Sequence, residues 1–221
     1  MAEATTPSQE TSERAAEEEG FYHESALNAT WTGSRLALGG LSFLFGAFAF
    51  AYFYLRSIDS SGRWHGSGYV APNLILGTFI MFAVLVSAGT QYAALQRIKA
   101  GNERQWQIGG LIALVLGVGA VALQIIELLF LPFWPGSSGY ASVFTGFYAV
   151  FLVILLAVML WLEMLLARSR FIPTISFVEQ PPTYPEAFEV QRFQASLSAF
   201  TAVWNYLAAV AILFWVLFYV I

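Results

Sequence analysis

From Gly139 to Leu162 the chain carries no charged residue; Glu163 follows, and Arg168 and Arg170 close the stretch. A helix through it is roughly 30 Å long, which matches the hydrocarbon core of a bilayer. A run of this length and apolarity leaves a soluble domain little scope. It predicts a transmembrane helix, and the rest of the chain repeats the pattern.

Four further apolar runs complete the plan. Span one is Leu36–Leu55, ended by Arg56. Span two runs from about Asn73 to Leu95, ended by Arg97 and Lys99. Span three covers about Ile108–Leu131, closed by Pro132 and Pro135. Span four is Tyr140–Ala167, and span five is about Ser196–Ile221. Each is long enough to cross, some with tilt. The expected fold class is an all-α integral membrane bundle of five transmembrane helices. A barrel would need alternating strands of about ten residues, which the sequence lacks.

Composition agrees. The chain is 58% hydrophobic and 11% charged, against about 25% charged in a soluble domain. It has no cysteine, which excludes disulfides, thiolate metal sites and cysteine nucleophiles. His23 and His65 both lie outside the apolar runs, so histidines supply no intramembrane haem or metal site. No nucleophile–base pair, phosphate loop or ligand cluster is legible, so catalytic, cofactor-binding and metal residues are all expected to be none, and nothing points to nucleic acid.

Residues 1–20 are rich in Glu, Ala, Ser and Thr and have no apolar period, so a disordered acidic tail is expected there, ahead of a membrane domain over 21–221. The 96–107 and 167–195 loops share a side with this tail. That side holds Arg14, Arg35, Arg97, Lys99, Arg104, Arg168, Arg170 and Arg192; the other holds Arg56 and Arg63. The bias predicts a cytoplasmic N-terminus and an outer C-terminus. The 167–195 loop contains Pro173, Pro181, Pro182 and Pro185, with Glu179, Glu186 and Glu189. It reads as extended chain lying on a neighbouring subunit or exposed to solvent, with 186–195 able to form a short surface helix leading into span five.

Several polar groups lie inside the spans. Gly109, Ala113, Gly117 and Ala120 share one arc of span three with Gln124 and Glu127. The small residues form a groove for close helix approach. Glu127 should face protein or water, either locking helices together or handling protons. Glu163 is expected to pair with Arg168, Arg170 or another nearby cation, or to collect protons near the surface. Ser87, Thr90, Gln91 and Asn205 are expected to bond across helices.

Together these segments resemble the cytochrome c oxidase subunit III family. Phe43-Leu-Phe-Gly-Ala-Phe-Ala-Phe-Ala-Tyr-Phe-Tyr-Leu-Arg56 is similar to its aromatic-rich helix. Asn73-Leu-Ile-Leu76, Ser87 and Arg97-Ile-Lys-Ala-Gly-Asn102 are similar to the next helix and its exit. Gln124-Ile-Ile-Glu127 matches its Gln-x-x-Glu. Tyr140-Ala-Ser-Val-Phe144 and Thr145-Gly-Phe147 match its most recognisable segment, and Trp204-Asn-Tyr-Leu-Ala208 resembles its final helix. The resemblance covers about residues 31–221 and corresponds to the shorter, five-helix bacterial form.

Departures are specific. Tyr148 and Phe151 stand where the family has histidines. The final Trp-His-x-x-Asp is Trp204-Asn205-Tyr206-Leu207-Ala208 here, and a family glutamate falls near Leu41. The resemblance implies a cofactor-free structural subunit of a terminal haem–copper oxidase in the bacterial plasma membrane. Its partners would be catalytic subunit I and the other oxidase subunits, alone or in a larger respiratory supercomplex. Haem and copper would reside in those partners, and this chain would hold phospholipid. An accessory subunit of a nitric oxide reductase, and a small transporter or channel, are the alternative readings.

Overall fold

A computed structural model describes residues 7–59, 64–66, 68–172, 174–177 and 186–221. Among them the regular structure is entirely helical: α1 (Pro7–Ser57), α2 (Leu74–Lys99), α3 (Glu103–Leu129), α4 (Gly139–Arg168) and α5 (Glu186–Tyr219). All five are long and apolar enough to cross a membrane.

Local signals set the helix ends. Asn73 caps α2, its side-chain oxygen accepting from the amides of Ile75 and Leu76. Gly101, with φ of 90°, turns the chain sharply after α2, and the Asn102 amide reaches back to the Arg97 carbonyl. This tight turn makes α2 and α3 an antiparallel hairpin. Ser138 caps α4 by accepting from Ala141, 3.0 Å away.

The helices outrun their apolar stretches. Residues 7–20, expected to lack regular structure, continue α1; residues 1–6 lie outside the described part. Pro7 suits a first helical position, and the Ala- and Glu-rich sequence after it forms helix well without an apolar stripe. α5 begins at Glu186, so the stretch 186–195 is helical and leads directly into span five, as expected.

α4 and α5 are central. α4 packs on α3, α1 and α5, and α5 packs on α2, α1 and α4. α1 is the outlier: 11% of its most apolar window is buried, against 56% for α5. It meets the bundle through Phe45 and Tyr52, seven residues apart, while Phe43, Phe50 and Phe53 face outward.

The small-residue face of α3 divides between two partners. Gly109 approaches α2, where an added Cβ would lie 2.8 Å from that of Ala94. Gly117 approaches α4, where a Cβ would lie 2.1 Å from Met159 Sδ. Ala113 and Ala120 are fully buried between them.

Candidate functional site

One buried polar cluster lies at the end of the bundle away from the basic loops. Gln124 and Glu127 lie three residues apart near the end of α3, and both are buried. Gln124 Nε2 donates to the Tyr148 carbonyl of α4 at 3.1 Å. The Tyr219 hydroxyl of α5 donates to Glu127 Oε1. The Tyr148 hydroxyl lies 2.7 Å from that of Tyr219. Either hydroxyl can be the donor in this contact. The result is a chain, Tyr148 to Tyr219 to Glu127, tying α4 and α5 to α3. Gln124 Oε1 and Glu127 Oε2 have no partner among the described residues.

Packing fixes the tyrosines. Tyr219 sits over Gly77 of α2, where an added Cβ would fall 2.2 Å from its ring. Tyr148 stacks on Phe144 at 4.3 Å. A cavity of about 20 Å³ adjoins Gln124 and Tyr148, walled by Gly77, Ile80, Phe147 and Phe214. It suits one water molecule and excludes an organic substrate.

An aromatic cap closes this end. The Asp59 carboxylate accepts from the Trp64 amide at 2.6 Å, and the Trp64 carbonyl accepts from the Tyr140 amide at 3.1 Å. The Tyr140 hydroxyl donates to the Phe218 carbonyl at 2.9 Å, satisfying a carbonyl near the end of α5. His65 stacks on Tyr69 at 4.2 Å. Burial and the Arg56 charge lower the His65 pKa, with Asp59 acting the other way.

At the opposite end, Glu103 Oε1 accepts three hydrogen bonds, from Thr174 Oγ1 and the amides of Ile175 and Ser176, at 2.7, 2.6 and 2.8 Å. Gln194 of α5 donates to the Ser176 carbonyl at 2.8 Å. Residues 174–176 are therefore buried on their own chain, where an extended strand on a neighbour or in solvent was expected. The four loop prolines and Glu179 lie outside the described residues.

Four placements, those of Glu163, Asn205, Thr90 and Gln91, differ from expectation. Glu163 is exposed and forms no ion pair among the described residues; Arg168 pairs with Glu189 of α5 at 3.0 Å. Five residues of helix turn Glu163 and Arg168 about 140° apart, so they cannot meet. Asn205 is exposed and bonds no other helix, because its neighbour Trp204 occupies the inward position. Thr90 bonds the Val86 carbonyl of its own helix. Ser87 does cross helices, donating to the Ala113 carbonyl at 2.6 Å and accepting from Trp204 at 3.2 Å. Gln91 is buried at the α2–α3 contact with both polar atoms unpartnered among the described residues.

Sequence reasoning missed Tyr219, Gly77 and Glu103. Glu103 was legible in principle as an acid in a first helical turn. Gly77 was legible as a lone glycine in an apolar helix. Tyr219 had no signal of its own within an aromatic run. The hydroxyl chain can relay a proton over a few ångströms, but Phe147, Phe151 and Phe214 pack beside it. Among the described residues, no three His, Asp or Glu side chains converge as metal ligands. No family model and no curated protein matches this chain.

Proposed function

We propose that this chain is a cofactor-free structural subunit III of a terminal haem–copper oxidase. It packs on the catalytic subunit, with haem and copper in that partner, and supports a complex that reduces dioxygen and moves protons. One observation supports the reading most: the Gln-x-x-Glu and Tyr140 segments that carry the resemblance meet the end of the last helix. Gln124 and Glu127, the Tyr140–Tyr148 segment and the last helix meet in one buried polar cluster. Tyr148, which replaces a family histidine, takes part through its hydroxyl, so the cluster retains interhelical bonding with different chemistry.

In this reading the N-terminus is cytoplasmic and the membrane is a bacterial plasma membrane. Affinity purification of the tagged chain from native membranes tests it. Haem and copper absorbance should accompany the chain. Recovery of the chain alone would sink the proposal and leave the transporter reading.

A further inference from the structure

We propose that Tyr219 is a redox-active tyrosine, oxidised by one electron while Glu127 takes its proton, and that a ladder of aromatic rings connects it to the surface of the aromatic cap. Tyr140, Phe144 and Tyr148 follow at four-residue spacing and line one face of α4. Phe144 is fully buried and is the common step. Its ring centre lies 4.3 Å from that of Tyr148, 5.8 Å from Tyr140 and 6.0 Å from Tyr219. Tyr140 lies 5.9 Å from Trp64 and 5.4 Å from Tyr69. Tyr69 is half-buried and the exposed His65 stacks on it, so the ladder reaches the surface there. Each step is the spacing of rings in contact.

The ends of the ladder differ in where a proton can go. A phenol that loses an electron becomes a strong acid, and a buried one needs a positioned acceptor. Tyr140 donates to the Phe218 carbonyl, an amide oxygen that holds no proton near neutral pH. Tyr52, 5.2 Å from Trp64, faces the Arg56 guanidinium, which only donates. Trp215, 6.4 Å from Tyr219, donates to the Thr78 hydroxyl, which takes no proton either. Tyr219 donates to a carboxyl oxygen, Glu127 Oε1, and Gly77 leaves its ring room in that position. Electron loss at the cap is therefore passed inward past Tyr140 and settles on Tyr219.

Electrons and protons balance. A one-electron oxidant at the cap, such as a peroxyl radical, gains an electron and, with a proton from water, leaves as a hydroperoxide. Tyr219 supplies that electron through Phe144 and Tyr140. Its phenolic proton moves to the Glu127 carboxylate, leaving a neutral tyrosyl radical beside a carboxylic acid. A reductant of the ascorbate or thiol class at the cap returns the electron through the same rings, and the proton goes back from Glu127 to the Tyr219 oxygen. This activity lies beyond the oxidase reading and does not rest on it.

The test uses the full chain in detergent, with ruthenium(III) tris-bipyridine generated by a light flash as the oxidant. Electron paramagnetic resonance of samples frozen after the flash should show a lasting tyrosyl radical in the wild type. Tyr219→Phe should remove most of it. Glu127→Gln keeps a hydrogen-bond acceptor but takes no proton, so formation of the radical should slow roughly a hundredfold. Phe144→Leu leaves Tyr219 and Glu127 in place and should slow both formation of the radical and its discharge by added ascorbate. Radicals on exposed tyrosines such as Tyr22 meet ascorbate directly and should be discharged alike in all four proteins.

No lasting tyrosyl radical in the wild type would overturn the site, whatever the variants do. So would a radical resting on tryptophan, an undiminished signal in Tyr219→Phe, or an unchanged formation rate in Glu127→Gln. Equal ascorbate discharge in the wild type and Phe144→Leu would overturn the ladder.

Discussion

The two carboxylates at opposite ends of α3 are the same residue type on the same helix, yet their surroundings differ. Glu103 lies in the first turn, where the helix dipole favours negative charge, and one of its oxygens accepts three donors. Glu127 lies in the last turn, where the dipole opposes negative charge. It is buried, accepts from Tyr219 and has one oxygen unpartnered among the described residues. Glu103 anchors the chain that follows α4. Glu127 joins α3 to the two central helices. A carboxyl in this bundle is thus defined by which helix end it occupies and which donors reach it.

The largest effect should come from breaking the Glu127 end through its support. Gly77→Ala places a methyl inside the Tyr219 ring and must displace it. We expect a loss of roughly 3 kcal/mol, the upper range for overpacking, read as a fall in thermal midpoint in detergent. An unchanged midpoint would mean that Tyr219 is not held as described.

Breaking the other end should cost somewhat less. Glu103→Ala removes the acceptor of three hydrogen bonds, for about 2 kcal/mol. Hydrogen exchange should then accelerate at the Ile175 and Ser176 amides while the Tyr148–Tyr219 end keeps its protection. Acceleration at both ends would show that they are not separable.

A smaller effect concerns the cap over the Glu127 end. The folded pKa of His65 lies below its unfolded value, so the unfolded chain takes up the proton more readily. The stability this contributes is whole above about pH 6.5 and is lost as pH falls through the lowered folded value. Thermal midpoints at about pH 7.5 and 5.5 should therefore diverge more in the wild type than in His65→Phe. Equal divergence would remove His65 from the cap's pH response.

Much of the fold was legible because charges are so rare. Between Gly139 and Leu162 no alternative to a membrane helix competes, and α4, Gly139–Arg168, lies within one residue of the expected span Tyr140–Ala167 at each end. A boundary failed where polar sequence continues a helix started by apolar sequence, as in residues 7–20. Gln124 and Glu127 were legible because polar groups in a span need partners. Which partners they find depends on helix rotation, which the sequence does not carry for Tyr219 among its aromatic neighbours. The same blindness to rotation directed Asn205 inward, where the packed bundle turns it out, and paired Glu163 with cations it does not meet among the described residues.

The most direct measurement is the haem recovered with the tagged chain for wild type, Glu127→Gln and Glu127→Leu. The glutamine keeps an acceptor for Tyr219 and should recover as much haem as the wild type. The leucine removes the carboxyl partner of that hydroxyl, leaves it Tyr148 alone, and should recover clearly less. No haem with the wild type, or equal haem with all three, would contradict a subunit held together by its buried polar cluster.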